Sequence, residues 1–373
     1  MPEVAIVGGG VMGASIAYHL AAAGIDDVVL YERAALASGP TGRSTALIRL
    51  HYSQPLLVRM AAHGLRLYSS FREAVGRDSG FTRTGLLVAA PEAERAALER
   101  NVEVGRGEGA SMELLDADQV AEIEPRLVAD GLTFAFEPEA GYCDPYLVTA
   151  GFAEAARGAG VRIEEGSPVE SVESLHADLT VIAAGPWSGP LLRPLGYELP
   201  IRPARAEVGR FRLPADFGSS PPALADFSES QLYFVPKDGG ILEVGTLDPE
   251  HAEHPIDPDE CPEGAEAETL AAFRAALTAR LRGAERGHWR GSWSAVYDVT
   301  PDWHPAIGYA AERVIVAAGF SGHGLKLAPA VGTAVAELVR DGRSSTYDIG
   351  LLDPGRFERG ELVKTTYGYS VLG

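Results

Sequence analysis

The chain has 373 residues, 46% hydrophobic and 23% charged, with a net charge of −20; this is a globular composition, and its acidity speaks against a nucleic-acid partner. At about 150 residues per domain there is room for two domains, and a chain of this size buries roughly three quarters of its unfolded surface without a disulfide or metal staple. Two isolated cysteines, Cys143 and Cys261, a start without the marks of a secretory signal, and no uncharged apolar run long enough for a membrane span make the cytoplasm the expected location.

Val4 to Val7 is a short apolar run that stops at three glycines, which predicts a buried parallel strand. Residues 11–23 carry apolar groups at helical spacing and end at Gly24, and Val28 to Tyr31 form a second strand closed by Glu32. Together these make one βαβ unit of about thirty residues. Helices are predicted over 55–75 and 91–104, a strand over 85–90, and a helix over 145–157 behind the capping pair Asp144-Pro145. Strands follow at 161–163 and 179–183. From about 200 to 298 shorter alternating strands are expected, including 232–235 and 241–245, with one long helix over 264–282. Residues 249–263 read as a Pro- and acid-rich surface loop. A buried strand at 314–318 and an apolar helix over 322–339 complete the pattern. The expected fold class is α/β. A discontinuous Rossmann-like domain from 1–80, 141–198 and 299–350 is interrupted by an α+β domain on an antiparallel sheet from 81–140 and 199–298, and 351–373 form a C-terminal tail.

Gly8, Gly10 and Gly13 form G-x-G-x-x-G, with Val11 and Met12 inside it, directly after a strand and at the opening of a helix. The first glycine allows the tight turn, the second lets backbone approach a pyrophosphate, and the third allows close helix–strand packing. Glu32, 19 residues after Gly13 and followed by Arg33, stands where an acid accepts from a ribose hydroxyl. The alternative is that the glycines merely shape the turn. The motif by itself does not separate NAD from FAD.

GPTGRSTALIRLHY (39–52), EAGYCDPYLV (139–148), AAGPWSGPLL (183–192), TPDWHPAIG (300–308) and VIVAAGFSGHGLKLAPAVG (314–332) decide between them. In this order they resemble the D-amino-acid-oxidase-like superfamily of FAD enzymes, and within it the sarcosine oxidase and sarcosine oxidase β-subunit branch; the branch with a G-L-R-P sequence, which holds glycine oxidases, matches less well at TPDWHP. The resemblance implies that the Rossmann-like domain binds FAD, with the isoalloxazine at the domain interface. It places Ser44 and Thr45 against the diphosphate and ring, Val169 at the adenine, and Gly185 and Trp187 in the cofactor site. Gly319, Gly322 and Gly324 would approach the flavin's pyrimidine edge, where helix-start N–H groups stabilise the charge of the reduced ring.

By the same resemblance Arg49 and Lys326 hold the substrate carboxylate, Arg49 as a two-pronged donor and Lys326 as a point charge. Lys326 is one of only three lysines and lies among Gly, Leu and Ala, where an unpaired charge is costly. The alternative is that Arg49 pairs with a local carboxylate and Lys326 reaches the surface. Tyr297 and His323 would line the same pocket, or else be packed core residues. Two departures stand out. Ala295 occupies the place of the cysteine that links FAD in monomeric sarcosine oxidases, so the FAD is expected to be non-covalent, with His51 the residue to suspect if it were not. Glu243 occupies the place of the lysine that promotes reaction with oxygen, which favours a dehydrogenase passing electrons to a partner. Residues 161–185 also leave little room for the hairpin usual before the AAG strand. The expected function is FAD-dependent oxidation of a C–N bond in a small secondary or tertiary amino acid, hydride passing to flavin N5 and the imine hydrolysing in water. A D-amino acid or glycine oxidase-type enzyme is the alternative. The partners expected are a small amine or amino acid and either a second copy or an electron acceptor, with no nucleic acid and no membrane.

Overall fold

The computed structural model describes residues 2–365. A six-stranded sheet runs in the order Ala306–Ala311, Val314–Ala318, Leu179–Ile182, Val4–Val7, Val28–Tyr31 and Arg162–Glu164. Val4–Val7 (β1) lies in its centre, with Val4 opposite Leu179 on one side and Val28 on the other, in parallel register. Both faces of β1 are covered, which is why it reads as an unbroken apolar run. Val11–Ala22 (α1) follows and leads to Val28–Tyr31 (β2). Only the edge strand Ala306–Ala311 is antiparallel. Residues 165–178 join two strands of this sheet with no hairpin between them.

The second sheet has eight strands in the order His288–Val299, Arg202–Arg212, Ile241–Thr246, Leu232–Lys237, Ala223–Asp226, Leu86–Pro91, Leu132–Glu137 and Glu113–Leu115. It is antiparallel except where Ala223–Asp226 meets Leu86–Pro91. The expectation of short strands over 200–298 is corrected here, since Arg202–Arg212 and His288–Val299 span 11 and 12 residues. Charged residues fall on both faces of Arg202–Arg212, which masks its alternation; Arg205 pairs with Glu207 at 3.1 Å and Arg210 with Glu243 at 3.0 Å. The helix Ala267–Arg280 covers one face of this sheet through Phe273 and Leu277, and its Thr269 hydroxyl donates to Glu207 at 2.9 Å. A small sheet of Leu47–Ile48, Gly141–Tyr142 and Thr82–Arg83 carries the chain into Arg49.

The helix Gly324–Asp341 packs against α1 and against Pro55–Ser69 (α2). Pro329 inside it has no N–H for the carbonyl of Leu325; the Tyr68 hydroxyl of α2 donates to that carbonyl at 2.7 Å instead. Gly64 of α2 faces the Lys326 carbonyl, where any Cβ would lie 2.1 Å from the oxygen. The opening turn of this helix is thus held from outside by α2.

Residues 351–365 do not trail away. Arg356 is buried and forms a two-pronged ion pair with buried Asp302, which also accepts from the Val363 N–H at 3.0 Å. The rest of the expected tail, 366–373, lies outside the described residues. No helix among the described residues is long and apolar enough to cross a membrane.

Candidate active site

One cavity of about 730 Å³ runs from Glu32, Arg33, Val169 and Trp187 at one end to Arg49, Tyr297, His323 and Lys326 at the other. Gly8, Gly10, Val11, Met12, Ser44, Thr45, Gly185, Gly322 and Gly324 line it between these ends. Gly13, Gly319 and Glu243 do not.

At the first end, glycine is required by contact. Gly8 has φ +113°, and a Cβ on it would lie 2.4 Å from the Ala183 carbonyl oxygen. A Cβ on Gly13 would lie 1.9 Å from the Gly8 oxygen, so this glycine serves the press of α1 against β1 and not the cavity wall. Gly10 caps α1 without a side-chain hydrogen bond, and of the first-turn amides Val11 N–H donates to Thr41 Oγ1 at 3.1 Å. A helix start of this kind, bare of side chains, suits an anionic diphosphate. The Glu32 carboxylate is fixed by the N–H groups of Gly9 (2.7 Å) and Ala34 (2.8 Å) at the end of β2. The Arg33 guanidinium stacks 3.9 Å over the Trp187 ring and pairs with Asp259 at 2.7 Å, while Trp187 Nε1 also donates to Asp259 at 3.1 Å. The acid-rich loop 249–263 is thereby drawn across this mouth.

Between the ends, Ser44 Oγ accepts from Ala46 N–H at 3.0 Å, and the Thr45 carbonyl accepts from Lys237 Nζ at 2.8 Å. Lys237 lies 3.8 Å over the Tyr142 ring and 3.4 Å from Glu243. Glu243 is therefore neutralised by Lys237 and Arg210 behind the wall, not placed on it. Sequence alignment of one strand could not show that a lysine on the neighbouring strand takes up its charge.

At the far end the chain turns through Gly319, Ser321 and Gly322, with φ of +76°, +49° and +86°. The Gly319 N–H donates to Asp298 Oδ2 at 2.7 Å, and a Cβ on Gly319 would lie 2.4 Å from Thr300 Cγ2. Gly319 thus ties the turn to the strand beside it. Asp298 lines the cavity; burial pushes its carboxyl up to about 6, although the amides of Phe320 and Gly319 oppose the shift. The Tyr297 ring faces Gly322, and its hydroxyl is hydrogen-bonded to that of Tyr233.

Arg49 is buried, stacks 4.5 Å from the Tyr52 ring centre and donates to the His51 carbonyl. Its Nη2 is 3.3 Å from His323 Nδ1, which fits an imidazole with its Nδ1 lone pair turned to the guanidinium. Lys326 is buried and makes no ion pair among the described residues; burial and the Arg49 charge lower its pKa well below the ordinary lysine value, and Glu137 opposes them. Glu137 and Asp298 are the site groups that sequence reading missed. Glu137 closes the apolar run Leu132–Glu137, and that mismatch was the available signal for it; Asp298 sits in a strand of mixed polarity that gave none. Ala295 lines the cavity, while Cys261 Sγ sits 3.8 Å from the Ala295 carbonyl and neither it nor His51 is on the wall.

Residues 3–338 match the DAO family model, described as FAD dependent oxidoreductase. The chain is 30% identical over 94% of its length to 4-methylaminobutanoate oxidase (formaldehyde-forming) of Paenarthrobacter nicotinovorans, of which it spans 45%. It is 29% identical over 93% of its length to glycine oxidase of Geobacillus kaustophilus, spanning 95% of that protein. Monomeric sarcosine oxidase of Bacillus sp. stands at 27% over 95% of this chain and 96% of its own. Sarcosine oxidase-type and glycine oxidase-type enzymes are thus both among the proteins this chain is similar to. Among solved structures, L-proline dehydrogenase from P. horikoshii superposes with a TM-score of 0.86 at 28% identity, covering 97% of this chain and 99% of that one. The dinucleotide cradle and the whole-length match agree: this chain belongs to the DAO family of FAD-dependent oxidoreductases and is an enzyme acting on CH–NH donors.

Proposed function

We propose that the chain oxidises a C–N bond of a small secondary or tertiary amino acid, sarcosine-like, whose carboxylate is held by Arg49 and Lys326. The observation that carries this reading is the pair of buried cations at the cavity end opposite the dinucleotide cradle. FAD, when bound, accepts the two electrons of the oxidation. The protein's part is positioning and charge. Arg49, braced by the His51 carbonyl, His323 and the Tyr52 ring, offers a fixed guanidinium. The N-terminus of Gly324–Asp341 adds a positive dipole end at the same place. No strong base is demanded of the wall if the amine binds neutral, and the imine is released to hydrolysis in water.

Arg49→Lys keeps charge but loses the two-pronged geometry, and Lys326→Met removes a charge while keeping the stem. Loss of one charged contact of about 1.5–3 kcal/mol should slow flavin reduction and weaken substrate binding by roughly ten- to a hundredfold. Anaerobic stopped-flow reduction with N-methyl amino acids and proline reads this without reference to the acceptor. Equal activity on a decarboxylated analogue would return both residues to a structural role.

The FAD is held without a covalent link, because the wall residue at the linking place is Ala295 and Cys261 meets only its carbonyl from the outer strand edge. Acid precipitation should leave the yellow colour in solution; colour in the pellet overturns this. A second reading, a dehydrogenase serving a partner, is supported by Lys237, whose charge is spent on Glu243 behind Thr45 and not offered on the wall. Oxygen uptake by the purified chain separates the two.

A further inference from the structure

Beyond Tyr297 lies a second, smaller cavity of about 30 Å³, and Ala206, Tyr233, Thr246 and Tyr297 line both it and the main one. Its size decides what it can hold. At roughly 10–15 Å³ of free volume per water it takes about two waters, and no amino acid. Its roof is the start of the acid-rich loop. Asp248 opens the short turn Pro249–Ala252, Ala252 lines the cavity, and Ile256 N–H donates to the Pro203 carbonyl at 3.0 Å. Polar groups stand round the chamber. The hydroxyls of Tyr233 and Tyr297 are bonded to each other, the Thr246 hydroxyl accepts from Asp248 N–H at 3.0 Å, and Asp248 is half-buried. Arg205 and Glu207 close one side but are taken up by each other, by Glu266 and by the Thr269 hydroxyl. Hydroxyl groups and a half-buried carboxylate around room for water make a path for protons from the substrate end of the main cavity toward the surface.

We propose that Tyr297, Tyr233 and this chamber carry away the proton that the substrate amine must lose. The proposal rests on the amine oxidation and the Arg49–Lys326 clamp read above. An alkylamine has a pKa of about 10, so at neutral pH it arrives as an ammonium. Oxidation of its C–N bond draws on the nitrogen lone pair, which an ammonium does not offer. One N–H bond breaks, and its proton goes to the Tyr297 oxygen as the Tyr297 proton moves on to Tyr233 and the chamber. From there one proton reaches Asp248 and solvent. Each hydroxyl gives up one proton and takes one, so neither tyrosine is left charged, and no electrons move in this step. Arg49 and Lys326 drive the loss, since both are buried at the same cavity end and repel a further positive charge. Of the other titratable groups, His323 and Asp298 line that end, and Glu243 stands near Tyr233 but is paired with Lys237. None of these three lines the chamber.

Anaerobic mixing of the flavin-loaded enzyme with sarcosine or proline, in weak buffer with an indicator dye, follows the proton and the flavin together. The wild type should release one proton per flavin, no later than the flavin is reduced. Tyr233→Phe keeps the ring against Gly245 and removes the hydroxyl. At pH 7 and saturating substrate it should slow both proton release and reduction by on the order of a hundredfold. Its acetate affinity and flavin content should stay at wild-type values. Raising the pH to 10 should close most of the gap, because much of the amine then arrives neutral and needs no outlet. No gap at pH 7, or a gap of the same size at both pH values, overturns the proposal. Should Tyr233→Phe not fold, Ala252→Val decides, since it fills the chamber from the roof and lies outside the main cavity. Wild-type proton release and reduction in that variant at pH 7 overturn the proposal equally. Lys326→Met tests the reading beneath. Acetate binding unchanged there removes the clamp, and with it the repulsion that drives the proton out. Weakened acetate binding there, with wild-type reduction in Tyr233→Phe, means that only the proton path fails.

Discussion

Gly13→Val is expected to give a colourless, destabilised protein. The Cβ it introduces would lie 1.9 Å from the Gly8 carbonyl oxygen and 3.1 Å from its carbon, and backbone cannot rotate out of the way as a side chain can. The start of α1 must therefore move off β1. It has nowhere to go, because α1 is packed between Pro145–Gly158 and Gly324–Asp341 and is almost wholly buried. Overpacking of this kind costs about 1–3 kcal/mol or more, and the displaced helix start no longer meets the diphosphate. Gly10→Val separates the two effects. A Cβ there meets only Thr41 Oγ1, at 2.9 Å, while its methyls enter the cavity. It should lose flavin while its apoprotein unfolds in urea near the wild-type midpoint. The ratio of flavin to protein absorbance and a urea titration measure both. A full flavin complement in either variant would remove the cofactor from this loop.

Arg356→Met should cost about 3–5 kcal/mol of stability, because it strands a buried carboxylate. Arg356 Nε and Nη2 lie 2.9 and 3.0 Å from the two oxygens of Asp302, and the side chains are 2% and 1% exposed. The same guanidinium donates to the carbonyls of Leu352 and His304, at 3.1 and 2.8 Å. Burial alone would raise the Asp302 carboxyl, but Arg356 outweighs it and holds the group below its ordinary 3.8. The pair therefore stays ionised at neutral pH, and its contribution is lost only as pH falls below about 4. Urea unfolding of the apoprotein at pH 7 reads the loss. Adding Asp302→Asn should recover part of it, since the stranded charge is then gone. A loss under about 1 kcal/mol would mean that water reaches Asp302 and that the pair is effectively exposed.

The βαβ unit was legible because its signals are local: an apolar run, a glycine turn, helical spacing and a closing acid all fall in one stretch of chain. The strand Arg202–Arg212 was read too short because Arg205, Glu207 and Arg210 break its apolar pattern and find counter-charges only after folding, and Arg290, Ser292 and Ser294 break the pattern of His288–Val299. The far end of the cavity was least legible. Arg49 and Lys326 could be set side by side only through the family resemblance, and Glu137 not at all, since its burial is made by segments distant in sequence. Glu243 shows the limit of reading one strand at a time: its position was found, and its partner Lys237 was not.

The order of strands in the six-stranded sheet has a consequence for biosynthesis. β1 finds β2 as soon as the first thirty or so residues have left the ribosome, a span set by the βαβ unit itself. On its other side it waits for Leu179–Ile182, which in turn waits for Val314–Ala318, and α1 waits longer still for Gly324–Asp341. Until then the nascent chain carries an open parallel strand edge and an uncovered apolar helix, the two features that most invite association with other unfinished chains. A truncated product ending before Val314 would not be a weaker enzyme. It would be a client for chaperones.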